Sequence, residues 1–189
     1  MSIRLTLWCA AAGPAVREAR FGDGPLDARG SGEARTAAAA LPPYSTCFRG
    51  PSVRCGQTAQ ALGLAATAEE RLRDLDFGTW QGLTLSEVAA GHPEALAAWA
   101  TDPGTAPHGG ESVRTLCGRV GGWMDALGDD AGRVLAVVEP AVVRAAAVHA
   151  LAAPLTAFWR VDVPPLSALT LTGRSGRWNL RLSAAASSG

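Results

Sequence analysis

One carboxylate in this sequence stands where a charge is energetically expensive. Glu139 follows the apolar run "VLAVV" at 134–138 and precedes Pro140. A charge at the end of a buried strand destabilises a fold unless it is paired or has a chemical use. Two interpretations therefore stay open. Glu139 either balances a neighbouring cation or acts as a general acid or base on a substrate, and a paired carboxylate can still accept a proton.

Few other residues in the sequence could serve as nucleophiles, general acids or bases, or metal ligands. Cys9 follows the first predicted strand, and a thiolate there would be a nucleophile, although a small buried thiol is the commoner role. The cysteines show no CxxC spacing, so we predict no metal site, no cofactor and no need for disulfides. The histidines lie in a loop-rich segment or late in a helix, away from strand ends: His92, His108 and His149.

The elements that must position these groups alternate along the chain. Strands are predicted at 3–8, 44–48, 133–138, 157–163, 167–173 and 177–183, and helices at 31–41, 51–63, 110–128 and 140–152. Because helices separate the core strands, we predict an α/β fold of three layers, a largely parallel central sheet with helices on both faces. Ligands in such sheets bind beyond the carboxyl ends of central strands, which selects 8–13, 48–54 and 139–141.

Length and composition are those of one globular domain. The chain has 189 residues, 48% of them hydrophobic, and a formal net charge of zero without blocks of one sign. We expect a single domain over 1–183 with an excursion at 76–110 that holds two short helices, and a flexible tail at 184–189. No nucleic-acid or membrane partner is predicted. We expect a cytoplasmic protein with a small-molecule ligand or substrate, and a homodimer is left open.

Five segments, in order, resemble the histidine phosphatase superfamily, also called phosphoglycerate mutase-like. The resemblance covers almost the whole chain and implies the phosphoglycerate mutase-like fold. The segments are "GPLDARGSGEARTAA", "GPSVRCGQTAQALG", "LRDLDFGTWQG", "HPEALAAWATDP" followed by "GGES", and "VLAVVEPAVVRAAAVHAL".

The resemblance also implies roles for individual positions. The family's first strand ends in Arg-His-Gly, whose His takes the phosphoryl group; here Cys9 and Ala10 replace the Arg and the His. Glu139 stands at the second family His. Arg54 matches a phosphate-binding Arg, so it is a ligand clamp or the counter-ion of Glu139. Asp74 matches the proton-donating acid and is otherwise a loop residue that caps its neighbours.

Four residues complete the predicted site. Trp8, beside Cys9, is expected to line the pocket, and Trp80 is expected to pack in the core or under a lid. Ala10 would face the substrate in place of the nucleophile. Glu111, in "GGES", would satisfy backbone amides in the first turn of a helix or face the pocket.

These replacements argue against phosphoryl transfer. Alanine has no lone pair to attack phosphorus, and at about 4 Å with an effective dielectric near 20, each like-charge pair costs roughly 4 kcal/mol. We therefore predict an enzyme recruited to acid–base chemistry on a small organic molecule, such as cyclisation, isomerisation, elimination or hydrolysis, in specialised metabolism. The alternative is a non-catalytic pseudophosphatase that binds a ligand or protein. A phosphatase with another nucleophile or a metal ranks third.

Overall fold

A mixed six-stranded sheet with the strand order β3-β2-β4-β1-β5-β6 forms the centre of the computed structural model, which describes residues 2–182. The predicted tail at 184–189 lies outside the described residues. The strands are β1 Ile3–Cys9, β2 Thr46–Arg49, β3 Thr67–Ala68, β4 Arg133–Val138, β5 Ala168–Arg174 and β6 Arg177–Arg181. The helices are α1 Pro14–Arg17, α2 Ala28–Ala37, α3 Val53–Ala61, α4 Leu85–Gly91, α5 Pro93–Thr101, α6 Val113–Asp125 and α7 Pro140–Ala150.

The parallel part of the sheet determines where a site can form. β4 pairs in parallel with both β1 and β2, and β2 pairs in parallel with β3. β5 and β6 extend the sheet in antiparallel fashion beyond β1. The predicted fold class is confirmed, and the carboxyl ends of β1, β2 and β4 lie side by side at one edge of the sheet.

The side chains of β1 point alternately to the two faces of the sheet, and each face carries its own hydrophobic core. Leu7 and Cys9 pack with residues of α6 and α7 in the larger core. Trp8 and Ala10 point to the opposite face and pack with residues of α3 in the smaller core. Successive side chains of a strand face opposite sides, so both layers of helices are anchored by the same strand.

Two predicted elements are corrected. The strand expected at 157–163 is wrong: the chain forms a 3-10 helix at Leu155–Arg160, because β5 already pairs with the free edge of β1 and buried Phe158 anchors the segment in the core. The helix expected from 31 begins earlier, at Ala28, because the Asp27 carboxylate accepts the Gly30 backbone N–H at 2.9 Å and caps the helix.

The excursion contains two short helices, as predicted. The Thr84 hydroxyl accepts the Glu87 backbone N–H and the Glu87 carboxylate accepts the Thr84 N–H, a capping box that starts α4. α5 starts with Pro93 in its first turn. Within residues 2–182, no helix has both the length and the apolar character needed to cross a bilayer.

Glycines in α6 provide a stability prediction. A methyl group at Gly118 would meet no atom within 4 Å, whereas one at Gly121 would lie 2.6 Å from Nδ1 of His149. Glycine costs a helix interior roughly 0.5–1 kcal/mol relative to alanine, so Gly118→Ala is expected to raise the free energy of unfolding by about that amount. Gly121→Ala is the matched variant that should lower it. Urea denaturation measures both, and a Gly118→Ala variant less stable than wild type would contradict the packing described.

Candidate active site

Two buried opposite charges meet at the carboxyl end of β4. Nε and Nη2 of Arg54 donate to Oε2 of Glu139 at 3.0 and 2.7 Å. Arg54 is 4% exposed and Glu139 is 1% exposed. The position of Glu139 is therefore explained first by charge balance, since an ion buried this deeply must be paired.

Further donors contact Oε1, the other oxygen of the Glu139 carboxylate. The Ser52 hydroxyl donates to Oε1 of Glu139 at 2.7 Å, and the Cys55 thiol lies 3.6 Å from the same atom. With Arg54, four donors surround a group that offers about four lone-pair positions. A carboxylate so fully occupied has no free lone pair for a substrate proton, so the contacts favour the ion-pair interpretation over general base catalysis.

The local sequence explains why these groups converge. Ser52 precedes α3 and accepts the Cys55 backbone N–H at 3.0 Å, which caps the helix and holds its hydroxyl beside Glu139. Glu139 is the N-cap residue of α7, and Pro140 fits the first helical position because its missing N–H would have no partner there. The two parallel strands β2 and β4 bring both helix starts to the same edge.

One donor of the site is unsatisfied. Nη1 of Arg54 is buried and has no hydrogen-bond partner among residues 2–182. Buried N–H groups without a partner are rare and costly, and a charged donor is the costliest kind. The guanidinium thus has one edge bound to Glu139 and one nitrogen without an acceptor among the described residues.

Asp74 is the second carboxylate that interacts with this pair. Its Oδ1 accepts the Leu75 backbone N–H at 2.8 Å. Burial, with the charge of Glu139 as the next cause, raises the pKa of Asp74 from 3.8 to about 7, against the opposing effect of Arg54. Near neutral pH this carboxyl therefore carries a proton in part of the molecules, and it can donate that proton to a leaving group.

A residue that the sequence analysis missed lies at the start of α3. Asp23 accepts the backbone N–H groups of Val53 at 2.7 Å and Arg54 at 3.2 Å. It comes from the loop that follows α1, between Gly22 and Gly24. Sequence reasoning had only the Gly-Asp-Gly spacing as a signal, which indicates a turn and does not identify the helix that the carboxylate would reach.

The end of β1 holds no nucleophile. Ala10 is 3% exposed and its backbone N–H donates to the Val138 carbonyl. Burial, and secondarily the charge of Glu139, raises the pKa of Cys9 to about 12, so the thiol form dominates and a thiolate nucleophile is disfavoured. Trp8 does not line this edge, because β1 turns its indole into the smaller core.

Trp80 and Glu111 belong to the structural framework around the site. Trp80 is 2% exposed and its ring lies 5.0 Å from that of His108 and 5.5 Å from that of Phe21. Oε1 and Oε2 of Glu111 accept from Nε and Nη2 of Arg119 at 3.0 and 2.7 Å. The expected capping role of Glu111 is wrong, because Ser112 caps α6 and Glu111 neutralises Arg119 instead.

The described part of the chain contains no recognisable metal site. No group of three or more His, Cys, Asp or Glu side chains there could hold a metal ion. The four cysteines are free and buried.

Comparison with known proteins identifies the family. The model of the histidine phosphatase superfamily (branch 1) matches residues 15–185. The chain belongs to this superfamily, as the five sequence segments predicted.

Several of the relatives are phosphatases by name. Glucosyl-3-phosphoglycerate phosphatase of Mycobacterium tuberculosis is 48% identical over 53 residues, which are 28% of this chain and 24% of that protein. The same-named protein of Mycolicibacterium vanbaalenii is 46% identical over 63 residues, 31% of this chain and 28% of that protein. These matches span about a quarter of each curated relative.

Solved structures match over nearly the full chain. A mycobacterial glucosyl-3-phosphoglycerate phosphatase in complex with VO3 has a TM-score of 0.85 and 27% identity, covering 95% of this chain and 97% of that one. An alpha-ribazole phosphatase from Shigella flexneri has a TM-score of 0.83 at 20% identity, covers 95% of each chain and shows the fold alone.

These findings correct the functional prediction. The expected loss of phosphoryl-transfer chemistry is contradicted by relatives that are named phosphatases, and so are the descriptions as a pseudophosphatase and as a repurposed active site. Alanine removes transfer to that side chain, whereas direct attack of water on phosphorus needs no side-chain nucleophile.

Proposed function

We propose that the chain is a phosphatase that hydrolyses a phosphomonoester by direct attack of water. The observation that carries this proposal is Nη1 of Arg54, which is buried and has no hydrogen-bond partner in the described part of the chain. A phosphate oxygen is the acceptor that a guanidinium binds most readily, and binding there would satisfy the open donor. The names of the relatives supply the reaction class.

The proposed step balances without a covalent intermediate. A water oxygen bonds to phosphorus as the ester P–O bond breaks, and Asp74 donates its proton to the departing alkoxide. The proton lost by water passes to the released phosphate or to solvent, and Asp74 is reprotonated from solvent. Phosphoryl transfer through a loose transition state depends chiefly on positioning and charge, so a strong base is not required. Glu139 positions Arg54 and takes no proton.

The substrate class follows from the relatives and from the site. Two relatives are named for glucosyl-3-phosphoglycerate and one for phosphoserine. We propose a small, polar phosphomonoester of this kind. The four free thiols support a reducing compartment, in agreement with a cytoplasmic location.

Phosphate release is the direct test. Purified wild type is expected to release phosphate from at least one of glucosyl-3-phosphoglycerate, phosphoserine and a generic aryl phosphate. Asp74→Asn is expected to lower turnover by about 10²–10⁴-fold, the usual cost of losing a general acid. Turnover should also fall as pH rises above about 7, because Asp74 loses its proton there.

The control is Arg29→Met, which removes an exposed arginine paired with Glu33 and should leave turnover unchanged. Acid quenching during turnover of a labelled substrate should trap no phosphoenzyme. Folded wild type that releases no phosphate from any of the three substrates would overturn the proposal, and so would full activity of Asp74→Asn.

A further inference from the structure

We infer that Arg119 is a positioning residue for the proposed acid, because its guanidinium holds the backbone segment that carries Asp74. The segment, residues 71–76, connects a 3-10 helix at Glu70–Leu72 to the excursion. Arg119 lies on α6, outside the reaction itself. The inference deepens the proposed function and rests on it for its effect on turnover.

The first observation is the set of contacts that the Arg119 guanidinium makes. Nη1 donates to the carbonyl oxygens of Arg71 at 2.8 Å and Arg73 at 3.0 Å, and Nη2 donates to that of Asp74 at 3.4 Å. Nε and Nη2 donate to the Glu111 carboxylate at 3.0 and 2.7 Å. A guanidinium has five N–H donors, and these five contacts account for all of them. One side chain thus joins α6 to three carbonyls of the segment.

Glu111 holds the guanidinium in place and also contacts the far end of the segment. The side chains of Glu111 and Arg119 are 6% and 10% exposed, so their ion pair is largely shielded from water. The Glu111 backbone N–H donates to the Asp76 carbonyl at 2.8 Å. Gly110 approaches so closely that a methyl group there would lie 2.1 Å from the same oxygen. The segment is therefore held on both sides of Asp74.

The Asp74 carboxyl depends on this backbone for its position. The only hydrogen bond that the carboxyl makes among residues 2–182 is the one that Oδ1 accepts from the Leu75 N–H. That donor belongs to the next residue, so the contact moves with the segment and does not anchor the carboxyl to the rest of the protein. Leu72 and Leu75 pack in the larger core. Loss of the Arg119 contacts should therefore loosen the segment without releasing it.

The consequence is an acid whose placement depends on a group outside the reaction. Displacement of a catalytic group by about 1 Å can cost roughly 10²-fold in rate. Arg54, the proposed phosphate ligand, makes no contact with Arg119 among the hydrogen bonds of the described residues, so kcat should fall while KM changes little. Water that reaches a loosened Asp74 should also lower its pKa, because burial is the first cause of the raised value.

Arg119→Lys separates positioning from simple charge balance. Lysine keeps the positive charge opposite Glu111, but its three donors cannot serve both carboxylate oxygens and three carbonyls. The charges of Glu139 and Arg54, which act on Asp74, are unchanged. The variant is expected to lower kcat about 10²-fold, with KM within about twofold of wild type. The pKa of Asp74 is expected to fall from about 7 to about 6 or below.

Carbon-13 NMR titration of the side-chain carboxyl groups measures this pKa in the full chain without substrate, and Asp74→Asn identifies the signal. Arg114→Lys, at an exposed arginine on α6, is the matched control and should leave kcat and the pKa unchanged. Glu111→Asp is a second variant that keeps both charges and draws the carboxylate back by one methylene. It should lower the pKa in the same direction by a smaller amount.

Stability supplies the comparison with a purely structural role. Arg119→Met leaves the Glu111 carboxylate buried without its partner and is expected to unfold at lower urea concentration than wild type. Arg119→Lys should recover most of that stability. If Arg119 served charge balance alone, lysine would restore kcat and the pKa of Asp74 as well.

The outcomes distinguish this inference from the proposed function. A lower pKa of Asp74 in Arg119→Lys, together with lower kcat and recovered stability, supports it. A wild-type pKa in both Arg119→Lys and Glu111→Asp would overturn it, and so would a wild-type kcat of Arg119→Lys in an active enzyme. If wild type releases no phosphate from any ester yet Arg119→Lys lowers the pKa of Asp74, the proposed function fails and the positioning of Asp74 by Arg119 stands.

Discussion

Arg54→Met is expected to lower the free energy of unfolding by about 3–5 kcal/mol, the cost of leaving a buried charge without its partner. Glu139 is 1% exposed and depends on Arg54 for two of its hydrogen bonds. Methionine keeps the length of the side chain and removes every donor. The remaining donors, Ser52 and Cys55, are neutral and cannot balance the carboxylate. Urea denaturation near neutral pH measures the loss.

Two further variants test whether loss of the Arg54–Glu139 ion pair causes the destabilisation. The double variant Arg54→Met with Glu139→Met should recover most of the stability, because replacing both ions by apolar groups is often neutral. Arg29→Met breaks an exposed pair with Glu33 and should cost no more than about 1 kcal/mol. If Arg54→Met and Arg29→Met lose equal stability, Glu139 does not depend on this ion pair.

Asp74→Asn is expected to stabilise the protein above neutral pH by about 2–4 kcal/mol, although it removes the proposed acid. The pKa of Asp74 is raised from 3.8 to about 7, so the folded protein holds this proton more tightly than the unfolded chain. The tighter proton binding by Asp74 therefore makes its full contribution to the free energy of unfolding below about pH 4. This contribution is lost as the pH rises through about 7. Asparagine stays neutral and avoids that loss.

The measurement is the difference in unfolding free energy between variant and wild type at two pH values. The difference should be less than about 1 kcal/mol near pH 4 and should reach the full value of about 2–4 kcal/mol near pH 8. Asp162→Asn, at an exposed aspartate, is the matched control and should show no such growth. A difference that is constant or shrinks with rising pH would contradict the raised pKa.

The sequence was sufficient for the three strands that meet at the site and for the ion pair, but it missed β3 and predicted a strand at 157–163 that does not form. Alternation and apolar runs located the strands that pair at the site, including residues 133–138 of β4, with the same limits as the structure. The rule that ligands bind beyond parallel strands brought Arg54 and Glu139 to one edge, where they do bond. Both are local or topological facts that do not depend on how side chains pack.

What the sequence could not supply was the direction and the partner of individual side chains. Trp8 was expected to line the pocket beside Cys9, yet the alternation of β1 sends the two residues to different cores. Glu111 was expected to cap α6, yet Arg119, from the same helix, takes its charge. Asp23 reaches across 30 positions to Val53, a contact that no local pattern specifies.

The functional error had a physical origin as well. Ala10 and Glu139 differ from the two histidines that the resemblance implies, and this difference alone predicted the loss of phosphoryl transfer. The structure shows Glu139 within a set of contacts in which Ser52, Cys55 and Arg54 all serve the same carboxylate. Such a set holds the guanidinium in a fixed orientation, and a fixed guanidinium is what phosphate binding requires.

The long separation of the ion pair also constrains how the protein assembles. Arg54 and Glu139 lie 85 positions apart, and burial of either one alone is unfavourable. Neither charge can therefore be buried at low cost until α3 and the end of β4 are both in place. The ion pair that holds the site together thus also links two parts of the chain that are distant in sequence.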